Sequence, residues 1–149
     1  MVEVSFYHLQ AQPLEMALPK LLEKVFERGL RALIRTREPE LAEFLNSVLW
    51  TYKPDSFLPH GLAGDKWAAD HPILITTETE TAVNEPSVLV LLQDADADDL
   101  ENYDRCLYMF DGNDQSSLSL ARARWKAFKG QGVDVTYWQQ TETGWQKKA

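Results

Sequence analysis

The sequence predicts an α/β fold whose strands are mostly parallel, and three observations support this prediction. Short runs rich in β-branched and aromatic residues alternate with segments whose apolar residues recur every three or four positions. Residues 72–77 (PILITT) and 87–93 (SVLVLLQ) are almost continuously apolar, as expected of central strands buried on both faces. The β-α-β-α order at the start of the chain implies parallel strands joined by right-handed crossovers.

The first predicted strand–helix pair opens the chain. Residues 2–9 (VEVSFYHL) are β-branched and aromatic, which is typical of a strand. Residues 14–29 carry a helical apolar stripe, and Gly29 is expected to end that helix. Pro19 within the stripe either bends the helix or delays its start by one turn, because proline lacks a backbone N–H and fixes φ.

The second pair follows directly. Residues 31–36 (RALIRT) predict a short buried strand, and residues 37–52 predict a helix. Thr36 is expected to cap this helix, with Pro39 in its first turn. The side chains expected to face the core are Leu41, Phe44, Leu45, Val48 and Leu49.

Residues 53–71 interrupt the regular pattern with a segment rich in Pro, Gly and Asp. A loop of this length inside a domain is usually functional, or irregular but packed. It contains Phe57, Trp67 and His60. We expect His60 to organise the loop through hydrogen bonds rather than to act in catalysis.

The remaining elements are a strand at 105–110, a helix at 113–130 and a last strand at 133–138. The segment 140–149 has no period and is expected to be partly ordered at best. The predicted organisation is therefore one domain over residues 1–139 followed by a C-terminal tail.

The helix at 113–130 carries the most informative pattern. Its apolar residues are Leu118, Ala121, Trp125 and Phe128, and its basic residues are Arg122, Arg124, Lys126 and Lys129. In a chain of net charge −8, this concentration of cations inverts the field locally. A cationic rim beside a tryptophan could hold an acidic peptide that ends in an apolar residue. The alternative is an ordinary amphipathic helix whose solvated cations lie near its C-terminus.

Composition limits the class of protein. The 149 residues suit one soluble globular domain, and no apolar run reaches membrane-spanning length. The first ten residues lack the pattern of a secretory signal, and Cys106 is the only cysteine, so we expect a cytoplasmic protein without disulfides. The negative charge argues against broad binding to a phosphate backbone.

The motifs of common enzymes are missing. The first strand-to-helix turn, residues 10–15 (QAQPLE), has no glycine to cradle a phosphate, and no GxGxxG, GxxxxGK[ST] or GxSxG occurs. Cys106 lies in an apolar run and is expected to be a buried thiol. An enzyme is therefore the weaker hypothesis, and we expect no cofactor.

Metal sites are equally poorly supported. A calcium loop starting at Asp94 would need glycine at its sixth position and glutamate at its twelfth, where the chain has Asp99 and Arg105. The three histidines are too scattered for a local metal motif. We therefore expect no metal.

Trp50 and Phe57 lie where large apolar side chains are hard to bury. Trp50 ends an amphipathic helix, and Phe57 begins the polar loop. Exposed aromatics in such places are typical anchors of protein interfaces. The alternative is that both side chains attach the loop to the core.

Several strings together resemble the chi subunits of bacterial DNA polymerase III holoenzyme along essentially the whole chain. They are FYHL, ERGLRALIRT, LWTYKPDSFLPHGLAGD, PILITT, MFDGNDQ and ARARWKAFKGQGVDVTYWQQTETGW. The resemblance implies a single Rossmann-like α/β domain with a mostly parallel central sheet, helices on both faces and no nucleotide-binding loop. It also implies a non-enzymatic accessory to the clamp loader.

The resemblance implies two partners. One is the psi subunit, for which the matching aromatic positions are Trp50 and Phe57. The other is the acidic, Phe-terminated C-terminal tail of single-stranded DNA-binding protein, for which the matching positions are Arg122, Trp125 and Lys126. A basic side chain there would hold the terminal carboxylate, and the tryptophan would form a wall for the Phe ring. Such a protein links the replicase to coated lagging-strand template.

One departure and two rival functions remain. Asp111 stands near the place of an apolar residue that lines the tail pocket in the family, and an acid there would repel an acidic tail unless it points away. The first rival is a nucleotide- or metal-dependent enzyme on a Rossmann-like scaffold. The second is a direct binder of single-stranded DNA that uses Trp125 and the basic stripe as a stacking groove.

Overall fold

The structure, a computed structural model, describes residues 2–52, 58–63, 68–77, 84–97 and 99–148. Within these residues eight strands form one sheet on which three α-helices pack, so the α/β prediction is confirmed. The strands are β1 (Glu3–Leu9), β2 (Ala32–Thr36), β3 (His60–Leu62), β4 (Ile73–Thr77), β5 (Val88–Leu91), β6 (Arg105–Asp111), β7 (Asp134–Thr141) and β8 (Gly144–Lys147). The helices are α1 (Leu14–Glu27), α2 (Pro39–Thr51) and α3 (Gln115–Gly130).

The strand order is β3-β4-β2-β5-β6-β1-β7-β8, and only the β7–β8 pair is antiparallel. From β1 to β2 the chain crosses the sheet in one direction through α1, and from β6 to β7 it crosses in the opposite direction through α3. Right-handed crossovers in opposite directions place their helices on opposite faces. Accordingly, α1 and α2 pack on one apolar cluster and α3 packs on another, which confirms helices on both faces.

Helix α1 begins at Leu14 and contains Pro19 in its interior. Pro19 therefore does not delay the start of the helix, although its missing N–H costs one intrahelical hydrogen bond. Burial of Leu18, Leu21 and Leu22 beneath the helix offsets this cost.

The amino end of α2 differs from the prediction. Thr36 is not its cap, because the Thr36 hydroxyl donates to the carbonyl oxygens of Thr76 and Glu38. Instead, the side-chain oxygen of Gln93 accepts hydrogen bonds from the N–H groups of Arg37 and Glu38. Phe44 was expected in the core but is 49% exposed, because Ala42, Leu45 and Leu49 form the buried face.

Strand β3 lies within the segment predicted to be a loop, so that prediction is corrected. The three residues HGL pair in parallel with β4. Tertiary pairing rather than an alternating pattern makes this strand. The expected role of His60 is confirmed, since its Nδ1 lies 2.6 Å from the Leu58 carbonyl oxygen and its Nε2 lies 3.0 Å from that of Asn46.

The C-terminal segment also differs from the prediction. Strand β7 continues to Thr141, and β8 returns antiparallel to it with Gln140 opposite Trp145. Trp145 packs edge to face against Tyr7, with ring centroids 5.1 Å apart. The expectation that this segment is partly ordered at best is therefore wrong, because β8 forms one edge of the sheet and Trp145 packs against the apolar cluster beneath α1.

Candidate functional site

A shallow pocket of about 380 Å³ opens beside α3, on the face of the sheet that this helix covers. We call it the α3 pocket. Strands β1 and β7 and helix α3 supply most of its lining, and the C-terminal residues after β8 complete it. The lining residues are His8, Arg122, Trp125, Tyr137, Gln139 and Lys148.

Strand geometry explains why these side chains meet. Successive residues of a strand face opposite sides of a sheet, so alternate residues share a side. In the parallel register of β1 and β7, Phe6 lies opposite Tyr137 and His8 lies opposite Gln139. The ring of Tyr137 contacts both His8 and Trp125 of α3, which places His8 and Tyr137 on the α3 side.

Aromatic rings hold one another in place at the base of the pocket. The ring centroid of Trp125 lies 5.7 Å from those of both Phe6 and Tyr137, in edge-to-face geometry. The ammonium group of Lys129 lies 5.2 Å from the Trp125 ring centroid, a cation–π contact. Trp125 therefore presents a fixed apolar wall whose surroundings are cationic.

His8 and Tyr137 form the polar part of the pocket. The Nδ1 atom of His8 lies 2.7 Å from the Tyr137 hydroxyl oxygen. Burial lowers the pKa of His8 and nearby Arg122 lowers it further, while Asp111 acts in the opposite direction. The pKa of Tyr137 is raised by burial. Both groups are therefore neutral at pH 7, and the positive charge at the pocket comes from Arg122 and Lys148.

Two of the three residues predicted for the tail site, Arg122 and Trp125, line the α3 pocket. Lys126 is exposed one turn after Arg122 but is not part of the lining. The sequence reasoning did not assign His8, Tyr137, Gln139 or Lys148 to this site. Alternation within FYHL and TYWQ could have indicated the first three, whereas Lys148 is brought there only by the unpredicted hairpin.

Arg124 does not belong to the exposed basic group. Its Nη1 donates to the carbonyl oxygens of Asp94 and Ala95 and to the Tyr108 hydroxyl, at 2.7 to 3.1 Å. Its Nη2 lies 3.7 Å from a carboxylate oxygen of Asp96. This arginine therefore fastens the turn after β5 to the sheet.

Asp111 is placed away from the lining of the α3 pocket. Its carboxylate accepts a hydrogen bond from the N–H of Asn113 at 2.9 Å, in the turn between β6 and α3. The residue lines the neighbouring crevice at the carboxyl ends of the strands instead. Its charge acts on the pKa of His8 in the direction opposite to burial and Arg122.

Trp50 lies on a separate surface, formed by α2 and β3. Its side chain is 55% exposed, and its ring centroid lies 5.0 Å from that of His60. A groove of about 540 Å³ runs beside it and is also lined by Asn46 and Leu62. Phe57, predicted together with Trp50, lies outside the described residues.

The crevice where α/β folds bind nucleotides is occupied by oxygen atoms of the chain itself. The side-chain oxygen of Gln140 accepts hydrogen bonds from the N–H groups of Gln10, Ala11 and Gln12, at 2.9 to 3.1 Å. The carboxylate of Asp114 accepts from two N–H groups at the start of α3. Backbone donors that could otherwise hold a phosphate are thus already used.

Other reactive chemistry finds little support. Cys106 is fully buried, and burial raises its pKa to about 12, which confirms the expected buried thiol. Among the described residues, no three His, Cys, Asp or Glu side chains are arranged to hold a metal ion. Within the same ranges, no helix is long and apolar enough to cross a bilayer.

Comparison with known proteins agrees with the sequence resemblance. The family model described as DNA polymerase III chi subunit, HolC, matches residues 1–136. The probable DNA polymerase III subunit chi of Rickettsia prowazekii (strain Madrid E) is 35% identical over 96 residues, which are 64% of this chain and 58% of that protein. DNA polymerase III subunit chi of Escherichia coli (strain K12) is 26% identical over 121 residues, which are 81% of this chain and 82% of that protein.

The family match covers β1 to β6, the three α-helices and the first residues of β7. It therefore includes the surface around Trp50 and three of the six lining residues of the α3 pocket, namely His8, Arg122 and Trp125. The match to the Rickettsia protein spans less than two thirds of that protein's length. The extent of the family match is decisive: the chain belongs to the family of DNA polymerase III chi subunits.

Proposed function

We propose that the protein is a non-catalytic accessory subunit of the DNA polymerase III clamp-loader complex. It binds the acidic C-terminal tail of single-stranded DNA-binding protein in the α3 pocket. It binds the psi subunit through the surface around Trp50 and Phe57. The two contacts link the replicase to coated lagging-strand template.

The observation that carries the proposal is the pairing of cations with an aromatic wall in an otherwise acidic chain. Arg122 is exposed beside Trp125, so a peptide whose Phe ring packs on the indole can place its terminal carboxylate against the guanidinium. Lys148 and the nearby Lys126 add positive charge that favours upstream acidic residues. The position of Asp111 outside the lining is compatible with an acidic ligand.

The psi assignment is supported by the exposure of Trp50. A tryptophan that is 55% exposed and held against His60 is a rigid apolar group of the kind that anchors protein interfaces. The neighbouring groove offers space for a partner's side chains. This surface is built by α2 and β3, whereas the α3 pocket is built mainly by α3, β1 and β7, so one molecule can engage both partners.

Titration with a short acidic peptide ending in Pro-Phe tests the tail site. We expect saturable binding that weakens about tenfold or more in Arg122→Ala, equivalent to about 1.4 kcal/mol. Removing the terminal Phe should weaken it similarly, and added salt should reduce it. Lys20→Ala removes an equal charge from α1 and should leave the affinity unchanged.

If wild type and Arg122→Ala bind the peptide with equal affinity, the tail binds outside the α3 pocket. If an oligothymidylate displaces the peptide, the pocket belongs to a direct DNA binder instead. Co-purification with the psi subunit tests the second contact separately. Trp50→Ala should no longer co-purify with the psi subunit but should still bind the peptide. Arg122→Ala should co-purify with the psi subunit but bind the peptide weakly.

A further inference from the structure

We infer that the protein has a second binding site, for an acidic peptide segment with one large apolar side chain, on the face of the sheet opposite to α3. A pocket of about 320 Å³ lies between the C-terminal half of α1 and the β7–β8 hairpin. We call it the hairpin pocket. Its aromatic residues are Tyr7, Trp138 and Trp145, and its cations are Lys24, Arg28 and Arg105.

Strand alternation separates this pocket from the α3 pocket. Tyr137 lines the α3 pocket, so its neighbour Trp138 faces the other side of the sheet. Trp138 lies opposite Tyr7 in the register of β1 and β7. Tyr7 and Trp145 belong to the apolar cluster beneath α1, whereas Tyr137 belongs to the cluster beneath α3.

The lining of the hairpin pocket contains three exposed cations and no acidic residue. Across the described ranges of the chain, none of Lys24, Arg28 and Arg105 makes a side-chain hydrogen bond or an ion pair within 4.0 Å. Glu3 is the residue opposite Arg105 on β1, yet it does not pair with it at that distance. The C-terminal dipole of α1 explains Lys24 and Arg28 but not Arg105, which begins a strand. In a chain of net charge −8, this local excess of positive charge favours an anionic ligand.

The floor of the hairpin pocket favours a peptide over a nucleic acid. Its aliphatic lining, which includes Leu21, Val25 and Leu107, suits one apolar side chain. The rings of Tyr7 and Trp145 meet edge to face at 78°, unlike a flat platform for stacking bases. Nucleic-acid backbones are bound by many cations arranged along an extended surface, whereas here three cations surround a single pocket.

The hairpin pocket depends on residues beyond the matched part of the family. Trp138 and Trp145 follow residue 136, where the family match ends. The hairpin pocket and the α3 pocket have no lining residue in common, so the two sites are separate.

Tryptophan indole N–H signals of the ¹⁵N-labelled full chain can distinguish the two pockets. Trp138 and Trp145 report on the hairpin pocket, and Trp125 reports on the α3 pocket. The probe is acetyl-Asp-Asp-Phe-amide, whose blocked C-terminus removes the carboxylate that Arg122 would hold. We expect saturable shifts of the Trp138 and Trp145 signals with this probe.

Arg105→Ala and Lys24→Ala should each weaken the binding that these shifts report by about two- to fivefold. Arg122→Ala and Lys20→Ala, which also remove one cation, should leave them unchanged. Unaltered indole signals of the free variants verify that the fold is intact. The proposal is overturned if the two signals do not move at millimolar probe, or if both pocket variants bind as tightly as wild type. It is also overturned if the signals respond to an oligothymidylate and not to the peptide.

Discussion

Gly112 allows the close approach on which the α3 pocket depends. It follows β6, and its N–H donates to the Leu9 carbonyl oxygen at 2.7 Å. A Cβ atom at this position would overlap the His8 ring and lie 2.8 Å from the Leu9 oxygen. Glycine therefore lets the turn after β6 pass over His8, which in turn contacts Tyr137.

Gly112→Ala should lower the free energy of unfolding by about 1–3 kcal/mol, because the His8 ring and the backbone must shift to make room. It should also lower the affinity of the α3 pocket for the acidic peptide that ends in Pro-Phe. Urea unfolding and peptide titration measure the two effects. Gly130→Ala is the matched control, since no heavy atom lies within 4 Å of a Cβ there. Equal stability of the two variants would contradict this account.

The lowered pKa of His8 predicts a dependence of stability on pH. Its ordinary value is 6.5, and burial together with Arg122 holds it lower in the folded protein. Between the two values the unfolded chain binds more protons, so His8 stabilises the fold above about pH 6.5 and loses this contribution as pH falls through the folded pKa. The free energy of unfolding should therefore decrease from about pH 7.5 to about pH 5 more steeply in wild type than in His8→Gln. Urea unfolding at a series of pH values checks this, and parallel profiles would exclude the effect.

Two arginines of helix α3 have different roles on different sides of the helix. Arg122 is exposed at the α3 pocket, while Arg124 reaches the turn after β5 and the hydroxyl of Tyr108. Residues two apart on a helix do not share a face, so a cluster of basic residues in sequence need not form one charged surface. The cation count of α3 therefore overstates the charge available to a ligand.

Exchanging each arginine for alanine separates the two tasks. Arg124→Ala should cost about 1.5–3 kcal/mol of unfolding free energy, because it leaves buried acceptors without a charged donor. Its peptide affinity should stay within about twofold of wild type. Arg122→Ala should retain wild-type stability and lose affinity. Denaturant unfolding and peptide titration of both variants decide the matter, and a loss of both properties in both variants would refute the separation.

On the scale of the whole molecule, Gln140 links the end of the chain to its beginning. Its side-chain oxygen accepts from three consecutive N–H groups, 128 to 130 residues away in sequence, and the side chain is buried. In return, the side-chain amide of Gln10 donates to the backbone carbonyl oxygen of Gln140 at 2.7 Å. A neutral side-chain amide thus accepts from N–H groups of the first strand-to-helix turn, the turn that holds a phosphate in nucleotide-binding folds.

Gln140→Ala should lower the free energy of unfolding by about 1–3 kcal/mol, because it removes the shared acceptor of three partly buried hydrogen bonds. Gln146→Ala, on the exposed partner strand β8, is the control and should change stability by less than about 0.5 kcal/mol. Urea unfolding measures both, and hydrogen exchange at Gln10 to Gln12 should accelerate only in the first variant. Unchanged exchange there would show that water replaces the side chain without cost.

The predictions succeeded where local pattern determines structure. The apolar runs at β4 and β5 and the stripe of α3 are strong enough to give the element type and approximate bounds. They failed at β3, whose three residues are a strand only because they pair with β4. They also failed at Phe44, because an apolar stripe wider than the core-facing side of α2 leaves some of its members in solvent.

The same division holds for the α3 pocket. Arg122 and Trp125 could be named from one helix, because three-residue spacing places them on the same side. His8, Tyr137 and Lys148 come from β1, β7 and the segment after β8, which are distant in sequence. Pairing register and the hairpin, neither of which leaves a local signal, bring them to that helix.

By itself, the sequence determined the α/β class, the parallel orientation of the central strands, the amphipathic helices and the family, because these depend on periodicity and on short motifs. Only the tertiary structure decided that Arg124 holds the turn after β5, that Asp111 lines another crevice and that Gln140 accepts from the first strand-to-helix turn. It also decided that the C-terminal segment is a hairpin that builds a second pocket. The physical reason is that these outcomes depend on long-range hydrogen bonds and burial, and those are made only when strands distant in sequence become neighbours in one sheet.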